Sequence, residues 1–529
     1  MANSNTEVAR TFHEATKYRQ IDRGDGQFEG VMGIPPDFQP SLGEQSPDNE
    51  PHPFKIYTDL DSIDLPDEFD PLTMPLLDAI AMSGAEESLD GTPDLAKLAR
   101  ISLLSNGILK RGSHGTGREI FYRAAGSTGA RYHLELYYVC GDLEGLDAGV
   151  YHYAADTHSL GVIRSGDFRA AVVGATGAEP SVAEASALLI VTSTFWRNAW
   201  RYKERAYRHT YWDLGTTLGN VLAVATAEHL QSKVVLGFHD TAINELLGVD
   251  GQREAAVASV PLGRGHSPGS SPEIERVDHP VEPVSNGEFD FPLIWEMHAE
   301  SSLSSGNDAA NWRSSRVARS TLDSTGDQIA LSPIPDGDRP DTPVDETIRR
   351  RRSTRHYTRD EAIPFDSFST MLDHSSQPIA FDCLDADAHS FTDPYLIVND
   401  VDGLEPGSYA VHPERGTLEL LATGDFRDDA SRLAVGQGYP ADAHVNVYYL
   451  ADLDPIFDAY GNRGWRIAQL EGALRAQKLH LAAHTLGLGA VGSTSLDDEV
   501  TDFFSPHAAG KGFMFIVVFG RRKRRSERQ

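Results

Sequence analysis

The densest internal cluster of positive charge in this sequence is the run RRRRSTR at residues 349–355. Arginine suits phosphate, because its planar guanidinium group donates two parallel hydrogen bonds to a pair of oxygens. The chain as a whole has a net charge of −31, so a phosphate ligand needs such a local excess of cations or aimed N–H donors. The run therefore predicts an anion site, with a solvated basic helix end as the alternative.

A second group of candidates lies in NAWRYKERAYRHTYW, residues 198–212. Its aromatic residues recur at near-helical spacing, which more often indicates packing than catalysis. Its arginines could pair with nearby acids such as Asp213. His480 and His484 are four residues apart, but no neighbouring glutamate completes a zinc-protease motif, and two cysteines are too few for a thiolate site. We therefore expect no metal.

The length and composition of the chain set limits on its class. Its 529 residues are too many for one ordinary core and predict two globular units. No apolar run reaches the roughly 18 residues that span a bilayer, and the start lacks the apolar stretch of a signal peptide. We therefore expect a cytoplasmic protein without membrane contact. The acidic excess argues against nucleic-acid binding and suggests a halophilic source, with a simply acidic protein as the alternative.

The chain repeats itself at an interval of 257–258 residues. Three pairs of segments share this interval: GDFR (166–169 and 424–427), GLDAGVY (145–151) with GLEPGSY (403–409), and ASVPLG (258–263) with FIVVFG (515–520). A register held over this length indicates a tandem duplication.

Each copy shows the same order of elements: a helical segment, a strand, a turn, a second strand, a long helix and a last strand. The long helices are predicted at 210–230 and 467–489, where apolar residues recur at helical spacing. Strands and helices mixed in this order predict an α+β fold. We divide the chain into a leader segment (1–75), domain 1 (76–263), a linker (264–343) with a docking segment at 289–303, and domain 2 (344–525).

Several segments resemble the SagB-type dehydrogenases, a branch of the nitroreductase superfamily, and in particular its tandem-domain subgroup. They are FHEATKYR (12–19), GLDAGVYHY (145–153), FWRNAWRYKERAYRHTYWDLG (195–215), LGFHDTAINELLGVDGQREA (236–255), RRSTRHYTRDEAIPF (351–365) and GNRGWRIAQLEGA (461–473). The resemblance covers nearly the whole chain except the linker. It implies a central antiparallel sheet wrapped by helices, and a two-fold dimer with FMN in the seam between the subunits. Here the two copies would form both halves, as an intramolecular pseudo-dimer.

By this resemblance, Arg351, Ser353 and Arg355 match the Arg-x-Ser-x-Arg motif that grips the FMN phosphate in the family. The first copy lacks a counterpart, since no lysine or arginine occurs between Pro71 and Thr92. Only the second copy can therefore hold an FMN phosphate with the motif that the family uses.

The family's other half-site is a loop of small residues, usually Pro-Ser-Ala-Gly, that the partner subunit places against the flavin ring. Gly126, Ser127, Thr128 and Gly129 stand at that place in the first copy, and small residues let backbone approach a ring closely. The second copy has the acidic segment 385–387 instead. Because each copy keeps one half-site, we predict one FMN per chain.

Further cofactor contacts are expected from the second copy. Gly492 and Ser493 follow the long helix, where family members place backbone near the flavin. Arg521 follows the last strand, where the family often has another basic phosphate ligand; a frayed charged terminus is the alternative.

The azoline-oxidising relatives use a Lys-Tyr pair near the flavin, and Arg201 and Tyr202 match it here. Arginine cannot act as a base at ordinary pH, which argues against azoline oxidation. Tyr202 could still donate a proton. Arg201, or the nearby Arg205 and Arg208, could bind an anionic substrate or a nicotinamide phosphate.

Three functions follow from these observations. The leading hypothesis is an FMN-dependent oxidoreductase that passes hydride through the flavin N5, with a small-molecule or peptide substrate and with NAD(P)H as a possible electron donor. The second is a peptide-tailoring oxidase that converts azolines to azoles. The third is a degenerate, non-catalytic scaffold, which the missing phosphate motif of the first copy suggests.

Overall fold

Two antiparallel sheets, each enclosed by helices, form the frame of the protein. The structure is a computed structural model and describes residues 3–22, 28–32, 46–82, 84, 86, 88–113, 119–317, 326–384 and 390–523.

The first half of the chain builds the first sheet domain. The segment that precedes it contains α1 (Glu7–Ala15), β1 (Arg19–Asp22), β2 (Phe28–Val31) and β3 (Ser62–Asp64). The domain then contains α2 (Leu76–Ala81), α3 (Leu95–Asn106), β4 (Ile108–Ser113), β5 (Glu119–Arg123), β6 (Leu134–Cys140), β7 (Gly149–Ala154), β8 (Ser159–Ser165), α4 (Arg169–Ala175), α5 (Pro180–Glu184), β9 (Ala187–Thr194), α6 (Phe195–Tyr202), α7 (Ala206–Ala227), α8 (Asp240–Leu247) and β10 (Glu254–Leu262).

The second half repeats this plan. The segment between the domains contains α9 (Pro292–Glu300), α10 (Gly306–Arg313) and β11 (Gln328–Ala330). The second sheet domain contains α11 (Val344–Arg350), α12 (Phe365–Ser376), β12 (Asp393–Val398), β13 (Gly407–His412), β14 (Thr417–Thr423), α13 (Arg427–Leu433), α14 (Tyr439–Asp442), β15 (Val445–Ala451), α15 (Leu453–Tyr460), α16 (Arg463–Thr485), β16 (Gly489–Ser493), α17 (Asp497–Phe503) and β17 (Gly512–Gly520).

The two sheets have the same strand order. It is β10-β9-β6-β7-β8-β3 in the first domain and β17-β15-β12-β13-β14-β11 in the second, where β16 adds beyond β17. The central strands β9 and β15 are buried along their whole length, which agrees with their apolar sequences. The edge strands β3 and β11 come from the segments that precede the domains, so the structural repeat includes those segments.

The long helices α7 and α16 pack against each other between the domains, and equivalent positions of the two helices touch. Trp212 Nε1 donates to Gln469 Oε1 at 2.7 Å, and these residues are 257 positions apart. The same interval separates Asn220 and Gln477, whose side chains bond at 2.8 Å. Gly215 permits the approach, because an added Cβ would lie 2.6 Å from a Cβ of α16. Contacts between equivalent positions indicate a two-fold axis, and the predicted α+β pseudo-dimer of tandem domains is confirmed.

The helices α1 and α9 also correspond to each other near this axis. Trp465 Nε1 donates to His13 Nδ1 of α1 at 3.2 Å, and the hydroxyl of Tyr207 bonds to His298 Nδ1 of α9 at 3.1 Å. The segment 289–303, predicted to dock on a domain, thus contains a helix that packs at the axis. Among the described residues, no helix combines the length and apolar content needed to cross a bilayer.

Candidate functional site

Arg351 lies where the second domain meets the first. It follows the last turn of α11, and its Nε donates to the carbonyl oxygen of Ala124 at 3.1 Å. Its Nη1 is buried without a hydrogen-bond partner and lies 4.0 Å from the point that a Cβ on Gly126 would occupy. Burial lowers the pKa of Arg351 to about 10, while Tyr132 opposes the shift. The basic run of one copy and the small-residue loop of the other therefore meet, and the guanidinium remains charged at neutral pH.

The residues that follow Arg351 line an open pocket of about 790 Å³. Ser353, Arg355 and Arg521 all line it, as does Gly487 after α16. Three more cations lie in its wall: Arg352, Arg522 and Lys523. Their combined potential attracts an anion, which agrees with the basic character predicted from the sequence.

Two of these cations also contact the second domain itself. Arg521 Nε donates to the carbonyl oxygen of Ala362 at 2.9 Å, and its Nη1 is 3.4 Å from Glu361 Oε2. The Arg355 guanidinium lies near Tyr439 and opposes the rise that burial causes in the pKa of Tyr439. Arg521 is therefore held at the rim by a backbone carbonyl, and it is not a frayed terminal residue.

The loop of small residues is fixed by Asp213 of α7. One carboxylate oxygen accepts from the Ser127 hydroxyl at 2.7 Å and the other from the Thr128 hydroxyl at 2.8 Å. The backbone N–H of Thr128 donates to the same carboxylate at 2.9 Å, and His133 Nε2 lies 3.0 Å from it. The two hydroxyls thus face the protein, so the loop presents backbone and the glycines, Gly126 and Gly129, to a ligand.

Tyr202 lies at the end of α6 beside this loop. A Cβ added to Gly129 would overlap with the Tyr202 hydroxyl, and the Tyr202 ring packs edge-on against His209 at 4.7 Å between centroids. Burial raises the pKa of Tyr202, with the nearby Arg201 opposing the shift. Arg201 is exposed, and its guanidinium carbon lies 5.6 Å from the Tyr202 ring centroid.

Gly492 and Ser493 occupy the end of β16. The Ser493 hydroxyl accepts from the Tyr439 hydroxyl at 2.7 Å and from Gln437 Nε2 at 3.2 Å. The next residue, Thr494, accepts at its hydroxyl from Arg205 Nη2 of the first domain at 3.1 Å. This strand end therefore lies at the boundary of the domains, on the same side as Arg355 and Tyr439.

Arg205 and Arg208 already have an acidic partner within the protein. Both are completely buried, and each donates from Nη1 to Asp497 of α17 at 3.0 Å. The expectation that either could grip a nicotinamide phosphate or an anionic substrate is wrong, because the aspartate already neutralises them. Arg201 is the remaining exposed arginine of this segment.

The equivalent place in the first domain is built differently. There a pocket of about 200 Å³ is lined by Gly84, Lys233 and Arg264, together with Glu184. Lys233 Nζ is 3.2 Å from Glu179 Oε1, and Arg264 Nε is 4.0 Å from Glu184 Oε2. Each cation thus has an acid beside it. The acidic segment 385–387 of the second copy lies outside the described residues.

Asp213 and Lys203 have roles that the sequence pattern does not predict. Asp213, predicted only as a possible partner for an arginine, anchors the small-residue loop instead. Lys203 has φ 51° and ψ −137°, a backbone conformation that favours glycine. The corresponding residue of the second domain, 258 positions on, is Gly461 with φ 63° and ψ −154°. This pairing is visible in the sequence once the repeat interval is applied.

The fold is that of the nitroreductases, and comparisons with known proteins agree. A crystal structure of a nitroreductase from Anabaena variabilis superposes with a TM-score of 0.72 and 26% identity, covering 98% of this chain and 99% of its own. Residues 92–264 match the Nitroreductase family. They form a nitroreductase family domain.

Two sequence relatives share part of the chain. MJ1384 of Methanocaldococcus jannaschii, which carries the name of a nitroreductase, is 28% identical to this chain. The match covers 29% of this chain and 75% of the length of MJ1384. The trifolitoxin-processing protein TfxB of Rhizobium leguminosarum bv. trifolii is 30% identical over 27% of this chain and 39% of its own length. Each of these two matches covers less than a third of this chain.

Proposed function

We propose that the protein is an FMN-dependent oxidoreductase that binds one FMN per chain between its two domains. The observation that carries this proposal is the buried Nη1 of Arg351, which has no partner and faces the glycine of the opposite domain. An unpaired buried guanidinium nitrogen is costly unless a ligand satisfies it. A phosphorylated, planar ligand fits both the cations and the open glycine loop.

Residues of this site can contact both the phosphate and the ring of FMN. Arg351, Ser353 and Arg355 would hold the phosphate with Arg521, since bidentate guanidinium contacts match its oxygens. The backbone of Ser127, Thr128 and Gly129 on one side, and Gly492 and Ser493 on the other, would flank the ring. Bound FMN would supply hydride transfer at its N5.

Tyr202 and Arg201 are proposed to act on the substrate. The Tyr202 hydroxyl lies beside Gly129, and its raised pKa keeps it protonated at neutral pH, so it can donate a proton. The exposed Arg201 can bind an anionic group of a substrate or of NAD(P)H, but it cannot accept a proton.

A peptide is the second candidate substrate. The likeness to TfxB, a protein named for processing trifolitoxin, favours it. The azoline-to-azole reaction is less well supported than a general peptide oxidation, because Arg201 stands where those relatives have the lysine base. The cytoplasmic location and the halophilic source stay predictions from the sequence.

The proposal is tested by the flavin content of the purified full-length chain. We expect a yellow protein that releases one equivalent of FMN on denaturation. The double variant Arg351→Ala/Arg355→Ala should lose it, because each charged hydrogen bond contributes roughly 1.5–3 kcal/mol. The matched control, Lys233→Ala/Arg264→Ala in the equivalent pocket, should keep the full equivalent.

Two results would contradict the proposal. A chain that stays colourless after incubation with FMN has no flavin site and supports the scaffold alternative. Equal flavin content in the two double variants would mean that the phosphate lies elsewhere.

A further inference from the structure

A second cluster of potential ligands lies in the second domain, outside the basic pocket. His412, Glu419 and His507 bring one ligand atom each to within 4.8 Å of the others. Glu419 is on β14 opposite Ala410 of β13, two residues before His412, so both side chains share one face of the hairpin. His507 lies between α17 and β17 and approaches this face. All three are largely buried, with side-chain exposures of 0%, 1% and 12%.

The ring nitrogen of His507 and the carboxylate of Glu419 face each other without a hydrogen bond. His507 Nδ1 is bonded to the Tyr395 hydroxyl at 3.0 Å. Its other nitrogen, Nε2, is buried, has no hydrogen-bond partner, and lies 3.6 Å from Glu419 Oε2. A neutral ring held by Nδ1–H would direct a lone pair at a carboxylate oxygen, which is unfavourable unless a cation lies between them.

His412 contributes the third ligand atom. Its Nε2 lies 2.8 Å from Glu419 Oε2, and its Nδ1 is buried without a hydrogen-bond partner, 3.7 Å from Glu414 Oε1. A change of tautomer would bring Nδ1–H toward Glu414 and turn the Nε2 lone pair toward Glu419. The three ligand atoms would then converge on one point.

From this geometry we propose that His412, Glu419 and His507 bind a divalent transition-metal ion, for which zinc is the natural probe. Two imidazoles and one carboxylate form an established ligand set for zinc, at roughly 2.0–2.2 Å from the ion. Ligand atoms around a tetrahedral ion at those distances lie roughly 3.3 Å apart. The observed 2.8 and 3.6 Å separations bracket this value, so small side-chain shifts suffice.

Each of the three proposed ligands has an outer partner of the kind found at metal sites. The Tyr395 hydroxyl holds His507, Glu414 lies behind His412, and the backbone N–H of Gly326 donates to Glu419 Oε1 at 2.7 Å. Such outer partners fix the tautomer and orientation of the ligands.

The site would fasten the β13–β14 hairpin to the segment after α17. Because α17 begins at Asp497, which neutralises Arg205 and Arg208, metal binding would stabilise an element that joins the domains. This inference does not depend on flavin binding.

The test uses the full-length protein after dialysis against a chelator, titrated with zinc chloride in a calorimeter. We expect one tight zinc per chain, with affinity reduced at least tenfold in His507→Asn and in Glu419→Gln. Tyr395→Phe should weaken binding roughly 10–100-fold through the outer partner. The matched control is His279→Asn, since His279 contacts Asp59 at 3.5 Å and the carbonyl oxygen of Ile163 at 3.2 Å rather than the three proposed ligands, and it should bind zinc as the native chain does.

Circular dichroism checks that each variant is folded, and flavin content should stay unchanged in all of them. If His507→Asn does not fold, Co²⁺ added to the native chain decides the matter, since four-coordinate Co²⁺ with nitrogen ligands absorbs strongly in the visible region. Absence of tight zinc binding, or equal affinity in His507→Asn and His279→Asn, would overturn the proposal, as would a Co²⁺ spectrum of the aqueous ion.

Discussion

The contacts that hold the two domains together are symmetric, whereas the two pockets at their boundary are not. Asp497 receives Arg205 and Arg208 of the other domain, and Asp240 receives Arg463 and Arg466 in the same way. The interval from each residue of one set to its counterpart is 257 or 258 positions. The basic pocket has about 790 Å³ and is lined by five Arg and Lys side chains and two acids, whereas its equivalent has about 200 Å³ and is lined by two such cations and one acid. The duplication has thus retained symmetry where it supports the fold and lost it at the two boundary pockets.

The symmetric contacts should be equally important for stability. Asp497→Ala and Asp240→Ala each leave two buried guanidinium groups without a counter-charge, so each should lower the free energy of unfolding by about 3–5 kcal/mol. Urea unfolding followed by circular dichroism measures both. If one variant loses several kcal/mol and the other almost nothing, the two domains do not depend on the crossing contacts equally.

Glu135 should make the first domain sensitive to acid. Burial opposes its ionisation, but Arg197 and the hydrogen bond with His152 hold its pKa at about 2, below its usual value of 4.5. A lowered pKa stabilises the folded state above pH 4.5, and this contribution is lost as the pH falls through 4.5 toward 2. The shift corresponds to roughly 3 kcal/mol.

The measurement is urea unfolding at a series of pH values from 5 down to 2. Glu135→Gln should remove that part of the pH dependence, whereas Glu68→Gln, at an exposed position, should leave it unchanged. An unaltered slope in Glu135→Gln would show that another carboxyl group controls acid unfolding.

Substitution of Tyr202 should affect catalysis, whereas substitution of its equivalent, Tyr460, should affect stability. The Tyr460 hydroxyl donates to the carbonyl oxygens of Cys383 and Ser315 at 2.6 and 3.0 Å, and its side chain is buried. If the proposed function holds, Tyr202→Phe should lower kcat roughly 100-fold through loss of a proton donor. Tyr460→Phe should mainly reduce stability, by about 1 kcal/mol.

The pH profile of kcat sharpens this comparison. A proton donor acts below its pKa, and burial raises the pKa of Tyr202 above 10 despite Arg201. The rate attributed to Tyr202 should therefore not decline up to pH 9. A decline between pH 7 and 9 that disappears in Tyr202→Phe would show that the hydroxyl ionises earlier and would contradict this assignment.

The smallest expected effect concerns Lys203. Its backbone conformation costs roughly 1–3 kcal/mol in a residue other than glycine, and Gly461 occupies the equivalent position. Lys203→Gly should raise the stability by about 1 kcal/mol after the entropy cost of glycine. Thermal unfolding measures it, with Gly461→Ala as the reverse change, expected to destabilise. A destabilised Lys203→Gly would mean that the lysine side chain makes a contact worth more than the strain.

The duplication and the fold class could be predicted from the sequence, because both depend on local patterns. The repeated GDFR segments, the apolar strands and the two long helices each carry their own signal. The meeting of Arg351 with Gly126 could be predicted only through the resemblance to a dimeric family. The sequence alone does not indicate that these two segments, more than 200 positions apart, are in contact.

The partners of the buried charges could not be predicted in the same way. Arg205 and Arg208 were expected to be available to an anion, because the sequence shows a cation but not its burial. The repeat interval links them to Arg463 and Arg466, and it also links Asp240 to Asp497, so a symmetric structural role was visible. Which acid neutralises which arginine depends on the path of the chain across the two-fold axis.

The two halves of the boundary lie on one polypeptide, joined through the segment that contains α9 and β11. In a dimer of separate subunits, dilution would part the halves and release a ligand held between them. Here the tether keeps the local concentration of one half around the other high at any dilution. Occupancy of the interdomain pocket should therefore depend on ligand concentration alone, even at the lowest amounts of protein in a cell.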